Sequence, residues 1–373
     1  MHPRPHAPLQ RDDRDIPEEF RLSTYQYTLP PDCIAQEPAA VRDQSRLMAI
    51  HRNSGAIGRH SFHDLPSLLR PTDLLVMNES RVIPAAIRCT KPTGGRVELL
   101  VMEPAAQASS DRSVQSTIRP CLVRSSKPLA AGSTLTVENG PQLIVERMLA
   151  PGRATIRFPV VEARFLEFLD KYGLPPLPPY IKTQGRDHER DKSRYQTVYA
   201  RTPGSIAAPT AGLHFTEELL RQIEEMGIEC VRIVLHVGPG TFMPVREEDI
   251  RLHEMQSEFY DIPEETAYKV RQAKRDNRRI IAVGTTTVRT LESAVLEPGS
   301  LRSGPGRSAL FIYPGYRFRL IDGMITNFHL PGSTLLMLVA AFGGIDLVLS
   351  AYREAVDGRF RFYSYGDACI IID

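Results

Sequence analysis

The stretch from residue 81 to residue 158 constrains the fold more than any other part of this 373-residue chain. It consists of short runs in which apolar and polar residues alternate, such as "RVELLVM", "STLTVEN" and "ATIRF". Turn signals such as "TGG", "ENGP" and "APGR" separate these runs. Several short strands at close spacing predict a small, closed or sandwiched β domain.

The segments on both sides of this stretch have a different pattern. The helix signal "TEELLRQIEEMG" is followed by the buried strand "IECVRIVLHVG", and a strand followed by a helix recurs in "RRIIAVGTTTVRTLESAV". We therefore predict an α/β main domain with an inserted small β-barrel domain. The α/β catalytic domain is expected to comprise residues 23–80 and 159–373, and the barrel residues 81–158. The polar, proline-rich residues 1–22 are expected to form a disordered leader.

Composition excludes several classes of protein. No apolar run approaches the ~20 residues of a membrane span, and the N-terminus lacks the apolar core of a secretory signal. We therefore expect a cytoplasmic protein with no membrane segment. The chain has 46 basic and 44 acidic residues, so its net charge is only +2. Any nucleic acid must therefore bind through local basic patches.

Two nucleotide-binding patterns and the common metal-binding patterns are absent from the sequence. It has neither GxGxxG after an early strand nor GxxxxGK[ST], which argues against a Rossmann dinucleotide enzyme, a typical Rossmann methyltransferase and a P-loop NTPase. Several histidines fall at loops or strand ends of the α/β domain: His214, His236, His253 and His329. They show no HExxH, HxH or Cys–His spacing, so we expect no metal.

The stretch "IIAVGTTTVRTLES" predicts a binding site for an anion. A buried strand ends at Val283, Gly284 turns the chain, and Thr285–Thr287 open a helix. Helix N-termini carry unpaired N–H groups and a partial positive charge, and they can hold a phosphate or a carboxylate. The alternative is that the threonines only cap the helix. Arg289 and Glu292 could face the site or pair with each other.

The stretch "AAPTAGLHFT" also leads from a loop into a helix. Pro209 stiffens the loop, Gly212 would permit close approach of a ligand, and Thr216 is a candidate N-cap. His214 lies just before the helix, where its ring could act as an acid or a base, although a structural role is the alternative. Together with "HVGPGTF" and "TNFHLPGST", this stretch predicts one pocket for a charged small molecule.

The charged run "KTQGRDHERDKSRYQ" follows the proline-rich "LPPLPPYI". Such a run is an RNA-facing loop or only a solvated surface. In the first case, Tyr180 and Tyr195 are the candidate groups for stacking on bases.

Many long motifs occur here in the order found in one family of enzymes. They include "YTLPPDCIAQEPAAVRDQSRLM", "GSIAAPTAGLHFTEELL", "IAVGTTTVRTLES" and "FRFYSYGDA". From about residue 24 to residue 373 the chain resembles the S-adenosylmethionine:tRNA ribosyltransferase-isomerases of queuosine synthesis. It departs from the family pattern at Glu79 and Ser80, at Thr287, and at Ser308 and Ala309. The family often has an acidic group where this chain has Ala309, so the resemblance assigns no role to this turn.

The resemblance implies an α/β domain carrying an inserted β-barrel and an unusual reaction. S-adenosylmethionine would donate its ribosyl group to 7-aminomethyl-7-deazaguanine at the wobble position of tRNA. The products would be epoxyqueuosine in tRNA, adenine and methionine. S-adenosylmethionine would be a co-substrate, with no true cofactor and no metal. The expected partners are this donor and the tRNA, and the protein is expected to be a monomer.

Two other classes of function compete with this interpretation. The first is an unconventional S-adenosylmethionine-dependent tRNA methyltransferase. The second is a non-catalytic RNA-binding protein with an OB-like barrel, which is disfavoured because residues 81–158 contain one aromatic residue, Phe158.

The resemblance and the motifs together predict the following site residues. His214 would transfer a proton, either as the base at the ribose or as the acid for departing adenine. The carboxylate and amine of the donor would be held by the Thr285–Thr287 turn and by Asp367 or Glu292. The residues predicted to bind the donor are Thr210, Gly212, His236, Gly238, Gly240, Thr285, Thr286, Arg289, Asn327, His329 and Asp367. The residues predicted to contact tRNA are Arg46, Asn78, Arg81, Lys182, Arg186, Arg190, Arg194 and Tyr195.

Overall fold

The computed structural model describes residues 16–102, 116–182, 187–242, 244–297 and 299–373. The strands in these ranges are β1 Arg46–His51, β2 Ile57–Ser61, β3 Leu74–Asn78, β4 Ser80–Val82, β5 Ala86–Thr90, β6 Arg96–Val101, β7 Thr117–Ser125, β8 Thr134–Val137, β9 Gln142–Ala150, β10 Arg153–Phe158, β11 Thr202–Ser205, β12 Glu229–Leu235, β13 Glu258–Ile262, β14 Ile280–Val283, β15 Val295–Glu297, β16 Ser300–Leu301, β17 Gly304–Ser308, β18 Gly323–Asn327 and β19 Ala368–Ile372. The α-helices are α1 Leu65–Leu68, α2 Phe165–Tyr172, α3 His188–Arg194, α4 Glu217–Glu225, α5 Glu264–Arg275, α6 Thr285–Ala294, α7 Thr334–Gly343 and α8 Ile345–Asp357.

The α/β part is built on a nine-stranded mixed sheet. Its strand order is β17-β13-β12-β3-β14-β18-β19-β1-β2. The strands β12, β3, β14 and β18 are mutually parallel, whereas β19 runs antiparallel to β18. Every residue of β3, β14, β18 and β19 is buried, as expected for strands whose two faces are both covered.

Alternate residues of these strands enter two separate cores. In β3, Leu74 and Val76 pack in the core that contains apolar residues of α5, α6, α7 and α8. Leu75 and Met77 pack in the second core, with residues of α1 and α4. Because successive side chains of a strand point to opposite faces, a continuous apolar run fills both layers.

The inserted domain is a closed barrel with strand order β10-β7-β6-β5-β8-β9. Its strands pair antiparallel and send alternate residues inward, where Val97, Leu99 and Ile156 are buried. Aromatic residues of α2, including Phe165, pack in the same core. The predicted architecture, an α/β main domain with an inserted β-barrel, is confirmed. The barrel strands run from Ala86 to Phe158, whereas β4 pairs with β11 outside the barrel.

The predicted leader is wrong for its last residues. Ile16 is buried, and 3₁₀-helices span Glu18–Phe20 and Leu22–Tyr25. The backbone N–H of Leu22 donates to the carbonyl of Glu248, at 2.8 Å. Long-range contacts therefore fold a segment whose local composition resembles a disordered one. Residues 1–15 lie outside the described residues.

Several strands bring their ends to the same edge of the sheet. β3, β14 and β18 end there at Asn78, Val283 and Asn327. Because β19 and β1 run the opposite way, their first residues, Ala368 and Arg46, reach this edge as well. In open α/β sheets, ligands bind beyond the carboxyl ends of parallel strands.

No single helix in the described ranges is long and apolar enough to cross a membrane. The pair α7 and α8 would pass on joint length and composition, but the two helices are bent by 117°.

Candidate active site

A cleft of about 1040 Å³, measured with its open mouth, lies at this edge of the sheet. It is at the upper end of the size range of small-molecule sites. Loops after β11, β14 and β18 supply most of its lining, and Tyr180 and Tyr363 add two aromatic rings. Its polar side chains are Tyr180, Thr210, Thr285, Thr286, Thr326, Asn327, His329, Ser333, Tyr363 and Ser364. Of the predicted donor-binding residues, Thr210, Thr285, Thr286, Asn327 and His329 therefore meet in one cleft.

The first turn of α6 opens into the cleft. Gly284 has a φ of 90°, a conformation that favours glycine, and it directs the chain from β14 into the helix. The Thr287 hydroxyl donates to the carbonyl of Val283, four residues earlier, at 2.7 Å, so it is occupied by the backbone. The Thr285 hydroxyl has no partner among the described residues. With the first N–H groups of the helix, it forms a site suited to an anion.

His329 lies just beyond β18 and lines the cleft. Its Nε2 is 2.8 Å from the Thr326 hydroxyl, and its backbone N–H donates to the Tyr352 hydroxyl at 3.2 Å. No described residue hydrogen-bonds its Nδ1. Burial lowers the pKa of His329 to about 3, so the ring is neutral at pH 7 and Nδ1 or Nε2 holds a lone pair.

Asn327 is the last residue of β18 and is 2% exposed. Its Nδ2 lies 3.2 Å from the carbonyl of Tyr363 and 3.1 Å from Nε2 of His214. Its Oδ1 is buried and has no hydrogen-bond partner. An unpaired buried acceptor is costly, so this oxygen calls for an explanation.

His214, the residue predicted to transfer a proton, is buried and does not line this cleft. The residue is 4% exposed, its Nδ1 is 2.6 Å from the Ser45 hydroxyl, and its Nε2 faces the amide of Asn327. Its ring stacks on Phe62, with 5.0 Å between the centroids. Burial is the main reason that the pKa of His214 falls to about 4. Both ring nitrogens are thus occupied, and the side chain is not in the lining of the cleft.

Gly212 does not permit approach of a ligand. A Cβ atom at this position would overlap the Tyr199 hydroxyl and lie 2.8 Å from Cγ2 of Thr197. The absent side chain therefore makes room for packing behind the loop, whereas Thr210 of the same loop faces the cleft.

The loop "HVGPGTF" contributes less to the cleft than predicted. Val237 lines it, whereas His236, Gly238 and Gly240 do not. Nδ1 of His236 is 2.7 Å from the Ser80 hydroxyl, and burial lowers the pKa of His236 to about 4. Gly238 and Gly240 have structural roles in the loop. The N–H of Gly238 donates to the Glu258 carboxylate at 2.9 Å, and Gly240 lies close against the Gln256 side chain.

Arg289 and Glu292 neither face the cleft nor pair with each other. The Arg289 guanidinium donates to Glu258 at 2.7 Å in a buried ion pair. The Glu292 carboxylate is fully buried and accepts backbone N–H groups of Arg319 and Leu320. Helix α6 directs these side chains away from the cleft, so the prediction of Arg289 and Glu292 as donor ligands is wrong.

Asp367 and Arg46 form an ion pair with each other. The Asp367 carboxylate is 1% exposed and accepts from the backbone N–H and the guanidinium of Arg46, at 3.1 and 3.0 Å. Arg361 also donates to it through its backbone, at 2.8 Å. The Arg46 guanidinium packs over the ring of Phe360. A residue predicted to bind the donor and one predicted to bind tRNA therefore form one structural ion pair.

The residues predicted to contact tRNA fall into two groups. Arg81, Lys182 and Arg190 have exposed side chains, although Arg190 pairs with Glu37 at 2.9 Å. Arg186 lies outside the described residues.

The other three predicted tRNA contacts are not free. Asn78 is fully buried and bonds the backbone of Leu235, and Tyr195 is 1% exposed, so their prediction as tRNA contacts is wrong. The Arg194 guanidinium donates to the carbonyls of Ala39 and Ala40, which leaves it little freedom to meet a phosphate.

Sequence reasoning overlooked Ser45 and two residues of the motif "FYSYG". Tyr363 lines the cleft with a φ of 74°, which is rare for a bulky residue. Its ring centroid lies 4.2 Å from that of Tyr180, whose hydroxyl bonds Ser364. The available signal was the aromatic cluster Phe362, Tyr363 and Tyr365 ahead of the last strand.

Within the described residues, no three His, Cys, Asp or Glu side chains form a group that could hold a metal ion.

Comparisons with known proteins agree over almost the whole chain. The family model described as "Queuosine biosynthesis protein" matches residues 22–371. A relative from Trichlorobacter lovleyi is 47% identical over 351 residues, covering 94% of this chain and 99% of the relative. One from Gloeobacter violaceus is 46% identical over 367 residues, covering 98% of each. Both are named S-adenosylmethionine:tRNA ribosyltransferase-isomerase.

A solved structure from Thermotoga maritima is similar as well. It is described as an S-adenosylmethionine tRNA ribosyltransferase, is 36% identical, and aligns with a TM-score of 0.53 over 94% of this chain and 100% of its own. Identity near one half over nearly the full length is far above what a shared fold alone produces. The chain therefore belongs to the family of queuosine biosynthesis proteins.

Proposed function

We propose that this chain transfers and isomerises the ribosyl group of S-adenosylmethionine onto 7-aminomethyl-7-deazaguanine at the tRNA wobble position. The products are epoxyqueuosine in tRNA, adenine and methionine. The observation that carries the proposal is the full-length match to ribosyltransferase-isomerases, together with a cleft whose polar residues come from the matched motifs.

The start of α6 is the proposed site for the methionine carboxylate of the donor. The N–H groups of Thr285 and Thr286 and the Thr285 hydroxyl supply hydrogen-bond donors, and the helix dipole favours a negative charge there. Charged binding residues are not needed at this position, which fits the observation that Arg289 is bound to Glu258 instead.

His329 is the proposed proton-transfer residue, in place of His214. The positive sulfonium of the donor acidifies the adjacent ribose carbon, and a neutral imidazole in the cleft can take a proton from it. Because burial lowers the pKa of His329, the ring enters the reaction neutral, and the proton that it takes up would pass on to the departing adenine. The acceptor amine then attacks the opened sugar, and methionine leaves as the epoxide closes.

The aromatic pair Tyr180 and Tyr363 is the proposed platform for a base of one of the substrates. The two rings stand at the cleft with hydrophobic neighbours such as Leu330 and Leu335. Aromatic faces bind bases with little dependence on their sequence.

The exposed charges of Arg81, Lys182 and Arg190 are proposed to meet tRNA phosphates, with Arg186 in the same run. With a net charge of +2, binding must be local and sensitive to salt. We further infer that the protein acts as a monomer in the cytoplasm, without a metal and without a membrane.

Product analysis tests the proposed function. The protein is incubated with labelled S-adenosylmethionine and tRNA carrying 7-aminomethyl-7-deazaguanine, and the nucleosides and small molecules are separated. We expect adenine and methionine in equal amounts and a new nucleoside in the tRNA. S-adenosylhomocysteine with a methylated tRNA would instead identify a methyltransferase, and binding of tRNA without turnover a non-catalytic protein.

A further inference from the structure

We propose that Ser45, His214 and Asn327 form a positioning relay, in which a neutral His214 holds Asn327 so that its side-chain oxygen accepts an N–H from the ammonium group of the donor. This inference rests on the proposed function, because it assigns a group of the same donor to a residue beside the same cleft. It makes His214 a positioning residue and not a proton carrier.

The hydrogen-bond pattern fixes the protons of the Asn327 amide and of the His214 ring. The carbonyl of Tyr363 can only accept, so the atom of Asn327 that faces it must be the amide nitrogen. The second hydrogen of that nitrogen then points to Nε2 of His214, which must accept it. The proton of the neutral ring is therefore on Nδ1, and it is donated to the Ser45 hydroxyl at 2.6 Å.

The surroundings keep the ring in this state. Ser45 and Asn327 are each 2% exposed, so water does not compete for these contacts. A second proton on His214 would place an N–H against the amide N–H of Asn327. Arg42 and Arg361 also disfavour the cation, whereas Asp367 favours it and burial outweighs that.

The side-chain oxygen of Asn327 is the atom through which the relay would contact the donor. It is buried without a partner in a residue that lines the cleft, and a charged N–H donor is the group that would satisfy it best. Residues Val283 and Ile325 are paired in neighbouring parallel strands, and two residues further along lie Thr285 and Asn327. Thr285 and Asn327 also line the same cleft, so the proposed carboxylate site and the residue that carries this oxygen are available to one amino-acid group.

The backbone of Tyr363 supports the same interpretation. Its left-handed conformation directs its carbonyl to Asn327, while its N–H donates to the carbonyl of Phe328 at 3.0 Å. Such strain in a bulky residue persists only where the surroundings impose it, and it is concentrated at functional sites.

The test compares donor affinity with and without the amino group. Calorimetry measures binding of S-adenosylmethionine and of its analogue lacking the α-amino group. We expect Asn327→Ala to weaken binding of S-adenosylmethionine by about ten- to a hundredfold and to change binding of the analogue little. His214→Ala should have the same selective effect, and adding it to Asn327→Ala should cost little more, because the two act through one contact.

His214→Gln is the conservative variant. Its side-chain oxygen can accept from Asn327 where Nε2 does now, so donor affinity and turnover should fall less than tenfold. Ser45→Ala, with the Ser23→Ala exchange at the surface as a control, tests the other end of the relay. Thermal unfolding of each variant separates loss of fold from loss of function.

Two results would overturn the inference. Equal weakening of both ligands by Asn327→Ala would mean that the oxygen does not bind the amino group. A His214→Gln protein that binds the donor normally but loses turnover more than a hundredfold would make His214 the proton carrier. Failure of the proposed function is distinguishable, because it would show in the products while donor binding still follows the pattern above.

Discussion

His214→Gln should make the protein less sensitive to acid. The pKa of His214 is about 4 in the folded protein, mainly because of burial, and its usual value is 6.5. A depressed histidine pKa contributes stability that is complete above the unfolded-state value and is lost as the pH falls toward the folded-state value. At about pH 5 nearly every unfolded chain has protonated this ring, whereas about one folded chain in ten has done so.

The magnitude follows from these occupancies. From about pH 6.5 down to pH 5, an interval of about 1.5 pH units, the unfolded chain takes up a proton that the folded chain does not. Each pH unit costs about 1.36 kcal/mol, so His214 alone removes about 2 kcal/mol of stability between about pH 7.5 and pH 5. Glutamine does not titrate. The variant should therefore lose about 2 kcal/mol less than the parent over this interval, whatever its stability at the higher pH.

Urea unfolding at the two pH values measures this difference. His63→Gln is the matched control for the exchange itself, because the His63 side chain is 57% exposed and pairs with Asp64 at the surface, 3.1 Å away. This variant keeps the buried His214 ring, so its loss of stability should stay close to that of the parent. An equal loss in the parent and in His214→Gln would refute the assignment of His214 as a neutral, buried ring.

Three other predictions follow from the same contacts. Gly212→Ala should destabilise the fold by about 1–3 kcal/mol with donor affinity kept, and Tyr199→Phe should restore part of the loss, because it removes the hydroxyl that a Cβ would overlap. Normal stability with weak donor binding would contradict this. Replacing Arg81 and Lys182 by Gln should lower the slope of log affinity for tRNA against log salt by about 1.5 in total, and an unchanged slope would remove both from the interface. Treatment with a chelator should leave turnover unchanged, and loss that one specific metal restores would show a metal requirement.

The architecture was predictable because it depends on periodicity. Short, largely alternating runs within residues 81–158 lead to a barrel, and continuous apolar runs such as Ile280–Val283 lead to central parallel strands. The turn from Gly284 into Thr285 was predictable for the same reason: a strand followed by a glycine and helix-capping residues has few local solutions.

The wrong predictions concern residues whose role depends on distant partners. Arg289 and Glu292 lie one turn apart, but their partners come from β13 and from the loop at Arg319. Gly212 has the sequence signature of a ligand loop, and only its packing against Tyr199 shows otherwise.

Histidine environments cannot be inferred from local sequence either. His214 and His329 both lie in short loops before helices, and both are buried. The structure distinguishes them by one atom: Nδ1 of His214 bonds Ser45, whereas Nδ1 of His329 has no partner among the described residues beside the cleft.

Release of free adenine from labelled S-adenosylmethionine in the presence of acceptor tRNA most directly tests the assignment of proton transfer. The parent protein, His329→Gln and His214→Gln are compared in single turnover at saturating substrates. We predict that His329→Gln slows adenine release by about a hundredfold or more, the scale of a lost general acid or base, and that His214→Gln slows it less than tenfold. The reverse order of the two variants would contradict the account.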